Sequence, residues 1–371
     1  MQKYRDMKLR KRTNVKMIRN LVFFLLIIIF TFWYIFKDQD LNELIDVIRS
    51  SNKVFLFIGF IIMFFSYLME AINIRSVLIS LNEKNISLLS TFKYTSIGAF
   101  FSAITPGSTG GQPIEVYYMS KDNIKPTNGT IALLIELCGF QISTLCLSII
   151  GVCINASLLA GGITWLYIIG IIINICALSF LLLGLFSTTM TKKFINLIIK
   201  IMKKAKVKNF EIKKQKLEDG LINYANSSKY IKDNKKVFIM GVLRVFIQMI
   251  LYHSVPYFIY LSFGIGEMSF FEIFARQAIL YTMVKGLPIP GAVGASETLF
   301  MKLFSDVFGK SMLGGAMLLY RFVSFYLYVI IFMIIVMINA TKEKNINSVI
   351  DKDVKEVERN YSNSKLSYEG L

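Results

Sequence analysis

Histidine and cysteine are nearly missing from this sequence of 371 residues. It has one histidine, His253, and four cysteines, each alone in an apolar segment: Cys138, Cys146, Cys153 and Cys176. A histidine-rich metal centre and a disulfide framework are therefore excluded, because each needs several such residues at close spacing. The cysteines are typical of small apolar core residues. We expect no metal ion and no other cofactor.

Charged residues are also scarce. Asp, Glu, Lys and Arg make up 18% of the chain, hydrophobic residues make up 54%, and the mean hydropathy is +0.55. Soluble domains carry about 25% charged and about 45–50% apolar residues. The composition therefore predicts an integral membrane protein.

The net charge of +18 lies almost wholly in two segments. Residues 1–20 hold eight Lys or Arg and one acid, and residues 187–236 hold fourteen Lys and four acids. Both flank apolar runs, as basic cytoplasmic segments of membrane proteins do, and both can attract an anionic lipid surface. Because no basic motif is interleaved with aromatic residues, we expect no nucleic acid to bind this chain.

Long hydrophobic runs divide the chain into about six full spans, each near the roughly 20 residues that a helix needs to cross a bilayer. Apolar spacing also predicts a short amphipathic helix within residues 37–53 and an interfacial helix around residues 194–202. We expect a basic head (1–20), one transmembrane domain (21–341) and a charged tail (342–371). The predicted spans are 21–36, 54–81, 129–154, 163–186, 237–263 and 312–339.

Proline is scarce too, and four of the six prolines lie in two stretches, Ser102–Glu115 and Gly286–Glu297. Each stretch contains Pro-Gly-x-x-Gly followed by a glutamate. Proline and glycine break helices, and lipid cannot satisfy the freed backbone groups, so each break must be buried or line a wet cavity. A pair of such segments points to a transporter binding site, although tight turns for close helix packing would also explain the glycines. The motif residues are Pro106, Gly107, Gly110, Gly111, Gln112, Pro113, Pro288, Pro290, Gly291 and Gly294.

The two broken segments, about residues 88–119 and 270–308, are predicted to be re-entrant. If the N-terminus is cytoplasmic, every basic loop falls on the cytoplasmic side. The first segment then enters and leaves from the cytoplasm and the second from outside, as an inverted repeat requires. Two full crossings would preserve the same parity, so charge counting leaves that alternative open. The predicted fold is an all-α polytopic membrane protein with about six full spans and two re-entrant segments in an inverted-repeat-like arrangement.

Ionisable residues inside the apolar runs are the candidate binding residues, since a charge at a helix centre costs at least about 2.5–3.5 kcal/mol. The guanidinium of Arg321 suits a phosphate and the carboxylate of Glu136 suits an ammonium, so together they match a zwitterionic or aminoacylated phospholipid headgroup. We expect the two to pair when no lipid is bound, and both Pro-Gly segments to meet around a polar cavity beside them. Internal ion pairs that only fix helix packing are the alternative. The candidates are Glu115, Glu136, Arg244, Arg276, Glu297 and Arg321.

The stretch Thr105–Pro113 with Tyr117–Met119, together with Pro288–Glu297, resembles the transmembrane lysylphosphatidylglycerol synthase/flippase family. That family is the membrane half of the bacterial multiple-peptide-resistance factor and its stand-alone relatives, and the likeness covers about residues 16–338. The resemblance implies a domain of the bacterial plasma membrane that moves aminoacylated phosphatidylglycerol outward and gives resistance to cationic peptides. One departure is Ala292, where many relatives have a second glycine.

The resemblance leaves the reaction itself open. Full-length synthases carry a soluble domain that takes lysine from lysyl-tRNA, whereas about thirty residues follow the last predicted span here, too few for a domain with its own core. We therefore expect a flippase for a membrane phospholipid, with a separately encoded aminoacyltransferase as an open partner. The alternatives are a phosphatidylglycerol lysyltransferase and a transporter of another amphiphilic lipid.

Overall fold

The computed structural model describes most of the chain between residues 41 and 341, namely 41–160, 162–204, 210–285, 287 and 289–341. Every regular element in these residues is a helix, which confirms the predicted all-α fold. The predicted basic head, first span and charged tail lie outside the described residues, as do Gly286 and Pro288 of the second motif.

Twelve α-helices are present in this part of the chain, and short 3₁₀ turns interrupt it at both Pro-Gly motifs. The helices are α1 Leu41–Ser50, α2 Lys53–Ser80, α3 Leu88–Ala103, α4 Gly111–Lys121, α5 Pro126–Ile154, α6 Ile163–Phe186, α7 Thr188–Lys204, α8 Phe210–Asp233, α9 Lys235–Ser262, α10 Phe270–Val284, α11 Ala295–Leu303 and α12 Ser305–Thr341.

Five of these helices, α2, α5, α6, α9 and α12, are long and apolar enough to cross a membrane. Their 24 to 37 residues exceed the roughly 20 that a bilayer requires, and they match five of the predicted spans. The last begins at Ser305, earlier than predicted, and Gly309 interrupts its first turns with φ 63° and ψ 171°. The number of spans in the whole chain stays a prediction.

The first broken segment folds as a hairpin of α3 and α4. The hydroxyl of Ser87 caps the start of α3 by accepting a hydrogen bond from the Ser90 N–H. At the open end of the hairpin, an ion pair joins the two arms, with 2.6 Å between Lys93 Nζ and Asp122 Oδ2. The arms have 16 and 11 residues, both fewer than a helix needs to cross the bilayer. These lengths favour the predicted re-entrant arrangement over two full crossings.

The second broken segment forms a similar hairpin of α10 and α11, with arms of 15 and 9 residues. A capping box of Ser269 and Glu272 starts α10. Arg276 closes the open end, because its guanidinium donates to the Leu303 carbonyl at 2.7 Å and to both carboxylate oxygens of Asp306 at 2.8 and 3.0 Å.

The two hairpins turn at their tips with the same backbone conformation. Gly107 and Gly291 have φ values of 60° and 58°, and the residues after them, Ser108 and Ala292, have φ values of 56° and 50°. Glycine adopts such angles without strain, but serine and alanine do not. A second glycine, as the resemblance led us to expect at position 292, would therefore fit this turn better than the alanine present. The two turns contact each other, which confirms that the two Pro-Gly segments meet.

The lysine-rich connector contains two helices. A helix is present where the interfacial helix was predicted, α7, and its position at the membrane surface stays a prediction. Outside the connector, the amphipathic helix predicted within residues 37–53 is present as α1. Helix α8 was not predicted; it docks on the end of α6 through the Tyr224 hydroxyl, which donates to the Gly184 carbonyl at 2.6 Å, and through Ser228, which donates to the Leu185 carbonyl.

Candidate functional site

A cavity of about 500 Å³ lies where the two hairpin tips meet. Its wall is completed by the middle parts of the long helices α2, α5, α9 and α12, so it combines broken-helix backbone with side chains of both charge signs. The polar, charged and tip residues that line it include Tyr67, Glu70, Gly107, Ser108, Thr109, Gln112, Glu115, Gln141, Tyr252, Tyr281, Lys285, Gly291, Ala292, Tyr320 and Arg321.

Arg321 is the principal cation of the cavity, and its partner is Glu297. The Arg321 side chain is 4% exposed and that of Glu297 is 0% exposed, with 2.7 Å between Nε and Oε1. The guanidinium also donates to the Gly291 carbonyl at 3.2 Å and lies 4.3 Å from the centre of the Phe325 ring. The expected pairing of Arg321 with Glu136 is therefore wrong.

Local structure explains why Glu297 takes that place. Gly294, with φ 90°, precedes the first turn of α11, and its N–H donates to Glu297 Oε2 at 2.7 Å. This capping interaction holds the carboxylate at the tip of the second hairpin, and the Tyr326 hydroxyl donates to its other oxygen at 3.0 Å. Arg321 itself is followed by a π-helical turn, Phe322–Tyr326, a deviation that is frequent at functional sites.

Glu115 lines the cavity from the first hairpin and is 4% exposed. Its Oε2 accepts no hydrogen bond from the described residues. The side chain fits only because residue 98 is glycine, since a Cβ on Gly98 would lie 1.9 Å from Glu115 Oε1. Gly111 permits the same close approach of the two arms, because a Cβ there would lie 2.6 Å from the Gly98 carbonyl oxygen.

Glu136 is buried, as predicted, but is not among the residues that line the cavity. One of its carboxylate oxygens accepts a hydrogen bond from the Asn73 amide, and the other has no partner among the described residues. Asn73 stands one helical turn from Glu70, which does line the cavity and accepts a hydrogen bond from the Gln248 amide at 3.1 Å. Glu136 is thus connected to the cavity through helix α2.

Glu70 and Lys285 line the cavity although neither was named as a candidate binding residue. The Lys285 amine lies 4.6 Å from the centre of the Phe140 ring and 5.3 Å from that of Tyr281. The signal that could have found both is the one that found Glu136, namely an ionisable side chain inside or at the end of an apolar run.

Arg276 and Arg244 do not line the cavity. Arg276 forms an ion pair with Asp306 at the open end of the second hairpin. This is the alternative that the sequence left open, an internal ion pair that fixes helix packing. Arg244 is partly buried on α9. Among the motif residues, Gly107, Gln112 and Gly291 line the cavity. The others that are described lie in the turns of the two tips or at the first turns of the helices that follow them: Pro106, Gly110, Gly111, Pro113, Pro290 and Gly294.

Comparison with known proteins adds the family context. A family profile described as "Lysylphosphatidylglycerol synthase TM region" matches residues 21–331. A UPF0104 membrane protein from Methanothermobacter thermautotrophicus is 23% identical over 297 residues, which is 77% of this chain and 86% of that protein. The matched range contains both Pro-Gly motifs and every residue of the cavity.

Proposed function

Since the chain belongs to the lysylphosphatidylglycerol synthase transmembrane family, we propose that it carries phospholipid headgroups across the bilayer. The substrate class is a lipid with an ammonium as well as a phosphate, as in aminoacylated phosphatidylglycerol such as lysylphosphatidylglycerol. The observation that supports this proposal is the cavity between the two hairpin tips, which is lined by two cations, Arg321 and Lys285, and by two acids, Glu70 and Glu115.

The headgroup, and not the acyl chains, is the part of a phospholipid that is energetically costly to move through the bilayer. A phosphate that enters hydrocarbon without compensation is very unfavourable, whereas a protein cavity can supply fixed counter-charges and water. The volume of about 500 Å³ falls within the range of about 300–1,000 Å³ for small-molecule sites. It suits a headgroup whose acyl chains stay in the lipid.

In this mechanism Arg321 exchanges partners as the headgroup arrives. Its planar guanidinium can bind a phosphate through two parallel hydrogen bonds, and the carboxylate of Glu297 keeps its bonds from Gly294 and Tyr326 when Arg321 turns away. The ammonium of the headgroup then lies against Glu115 and Glu70, whose carboxylates line the same cavity.

The proposed orientation rests on the charge pattern of the connector, and the proposed membrane and direction of movement rest on the family resemblance. We propose a bacterial plasma membrane with both termini and residues 187–236 in the cytoplasm, and outward movement that lowers negative surface charge and gives resistance to cationic peptides. The exposed Asp219 of α8 is a suitable labelling position, as Asp219→Cys, once the exposed Cys146, Cys153 and Cys176 have been replaced. Labelling by an impermeant reagent from outside intact cells would reverse the proposed orientation.

The deciding experiment is reconstitution of the purified chain in vesicles with fluorescent lysylphosphatidylglycerol in one leaflet. Wild type is expected to move the lipid, Arg321→Lys to move it more slowly because the planar fork is lost, and Arg321→Ala to be inactive while still inserting. Arg49→Ala, on the exposed face of α1, is the matched control and should behave as wild type. Wild-type transport by a stably folded Arg321→Ala variant would make Arg321 a packing residue.

The name of the matched family refers to a synthase, and lysyl transfer is the second candidate. Incubating the purified chain with lysyl-tRNA and phosphatidylglycerol distinguishes lysyl transfer from lipid transport. Formation of lysylphosphatidylglycerol by this chain alone would replace the proposal of a flippase.

A further inference from the structure

Unpaired oxygen acceptors gather around and behind the cavity. Five buried side-chain oxygens, on Asn73, Glu115, Glu136, Gln141 and Gln248, accept no hydrogen bond from the described residues. Buried acceptors without a donor are unusual, because leaving one unpaired costs about 1–3 kcal/mol. Such a group of oxygens favours a ligand that brings positive charge or hydrogen-bond donors.

Two hydrogen bonds and one turn of α2 relate several of these groups to the cavity wall. Gln248 donates to Glu70 at the cavity wall, Glu70 and Asn73 lie one turn apart on α2, and the Asn73 amide donates to Glu136. This series of groups points to the side of the protein where α2 ends and α5 begins, since Asn128 at the start of α5 donates to Glu83 just after α2 at 2.7 Å.

The carboxyl groups in this series lack the compensation that Glu297 obtains from Arg321. Glu136 has one amide donor, and no hydrogen bond reaches the free oxygen of Glu115. Glu70 and Glu136 both lie close enough to Glu115 to repel a negative charge on it. Neither Glu115 nor Glu136 forms a close ion pair with another described residue. Because a buried carboxylate without a paired counter-charge is strongly unfavourable, a proton or a bound cation stabilises each of these carboxyls.

The charged and titratable groups around these carboxyls come from several elements. Glu115 lies near Glu70 of α2 and Glu136 of α5, and Gly98 of α3 packs against its side chain. Glu136 faces Glu70 and is also influenced by the positive charge of Lys285. Helix α9 contributes the Gln248 amide, which does not titrate and donates to Glu70. Three tyrosine hydroxyls also belong to residues that line the cavity, namely Tyr67 of α2, Tyr252 of α9 and Tyr281 of α10.

We propose that this chain couples headgroup movement to proton movement through Glu115, Glu70 and Glu136. This inference rests on the proposed function, and it adds the driving force. With no headgroup in the cavity, Glu115 and Glu136 hold protons. When the ammonium of a headgroup enters, the O–H bond of the Glu115 carboxyl breaks, the carboxylate keeps the electron pair, and the ammonium replaces the proton as its counter-charge.

The released proton passes through cavity water to the Glu70 carboxylate. Glu136 gives up its own proton on the side where α2 ends and then takes the proton from Glu70, so that one proton leaves and both Glu70 and Glu136 return to their starting states. When the headgroup departs, a proton returns to Glu115. One headgroup ammonium is thereby exchanged for one proton, so a proton gradient across the membrane drives lipid movement.

The first test measures proton release on lipid binding and needs no transport. The purified full chain, in weak buffer with a pH indicator, is titrated with short-chain lysylphosphatidylglycerol, and native mass spectrometry counts the bound lipid. We expect about one proton released per lipid bound, as linkage between the two ligands requires. Glu115→Gln should bind more weakly and release no proton. Glu267→Gln, which replaces an exposed acid in the loop before α10, should release as wild type does.

Short-chain phosphatidylglycerol, which lacks the ammonium, is the lipid control and should release no proton from wild type. Lipid binding without proton release by wild type would overturn the coupling and leave the proposed function standing. Undiminished release by Glu115→Gln would overturn the assignment to Glu115. If no lysylphosphatidylglycerol binds, the proposed function fails and the coupling with it.

The second test uses vesicles with a pH-sensitive dye inside and fluorescent lysylphosphatidylglycerol in one leaflet. Reversing an imposed pH gradient is expected to reverse the direction of net lipid movement in wild type. Glu136→Gln should retain lipid binding but lose this dependence on the gradient. Equal rates under both gradients in wild type would overturn the proposal.

Discussion

Arg321 and Glu297 form a buried ion pair, with 2.7 Å between guanidinium and carboxylate, that ties the last long helix to the tip of the second hairpin. Both residues also bond to the tip backbone, Arg321 to the Gly291 carbonyl and Glu297 to the Gly294 N–H. The pair therefore positions the same tip that lines the cavity. In the proposed mechanism, a headgroup phosphate that draws Arg321 away also releases one of the contacts of that tip.

Removing one member of this pair is expected to destabilise the fold. Glu297→Gln leaves the guanidinium without a counter-charge, which typically costs about 3–5 kcal/mol for a buried pair. We expect a clear loss of thermal stability in detergent. The double variant Arg321→Met with Glu297→Leu should recover most of that stability, because apolar replacements restore packing, yet it should not transport lipid. Transport by the double variant would show that the pair has no part in moving the headgroup.

Gly98 is expected to control the position of the Glu115 carboxylate. An alanine Cβ at this position would lie 1.9 Å from Glu115 Oε1 and 2.5 Å from its Cγ, so the whole side chain must move. Gly98→Ala should therefore impair lipid binding severely. Gly184→Ala is the matched control on α6, where nothing lies within 4 Å of the new Cβ. Native mass spectrometry with lysylphosphatidylglycerol compares the two, and equal binding would contradict the close packing.

Ala292→Gly is expected to stabilise the protein. Alanine at φ 50° is in a left-handed conformation that costs a residue with a Cβ roughly 1–2 kcal/mol, and part of this gain is offset by the greater freedom of glycine in the unfolded chain. A net gain of about 0.5–1 kcal/mol is expected in chemical or thermal unfolding. Ala177→Gly, inside α6, should instead destabilise by about 1 kcal/mol. The same loss at both positions would show that the turn is not strained.

Asp122 gives a prediction about pH at the open end of the first hairpin. Partial burial opposes the charge of Asp122, but hydrogen bonds from Lys93 and Tyr94 outweigh it and hold the pKa of Asp122 below its ordinary value. A lowered folded-state pKa stabilises the fold above the unfolded pKa of about 3.9 and stops doing so as the pH falls further.

Wild type should therefore exceed Asp122→Asn in thermal stability at pH 7, and the difference should vanish as the pH falls below about 4. A Lys93→Met variant should show the same trend, because it removes the other half of the pair. A stability difference that is independent of pH would mean that the side-chain shape of Asp122 matters and its charge does not.

Much of the architecture could be predicted from local features of the sequence. Scarcity of charge over stretches of about 20 residues predicts spans, and the concentration of proline and glycine at positions 102–115 and 286–297 predicts where helices break. Both are properties of neighbouring residues, and the described helices follow them closely. The family likeness, carried by the same motifs, was confirmed over residues 21–331.

The identity of the charged partners was decided by tertiary structure alone. In the sequence, Glu136 and Glu297 are both carboxylates in apolar surroundings, and nothing local says which one meets Arg321. The capping of α11 at Gly294 places Glu297 beside the guanidinium of Arg321. The packing of α2 against α5 instead places Glu136 where it accepts a hydrogen bond from the Asn73 amide. Glu70 became part of the cavity for the same reason. Charge pairing depends on which helix faces meet, and helix faces meet only when the whole bundle is packed.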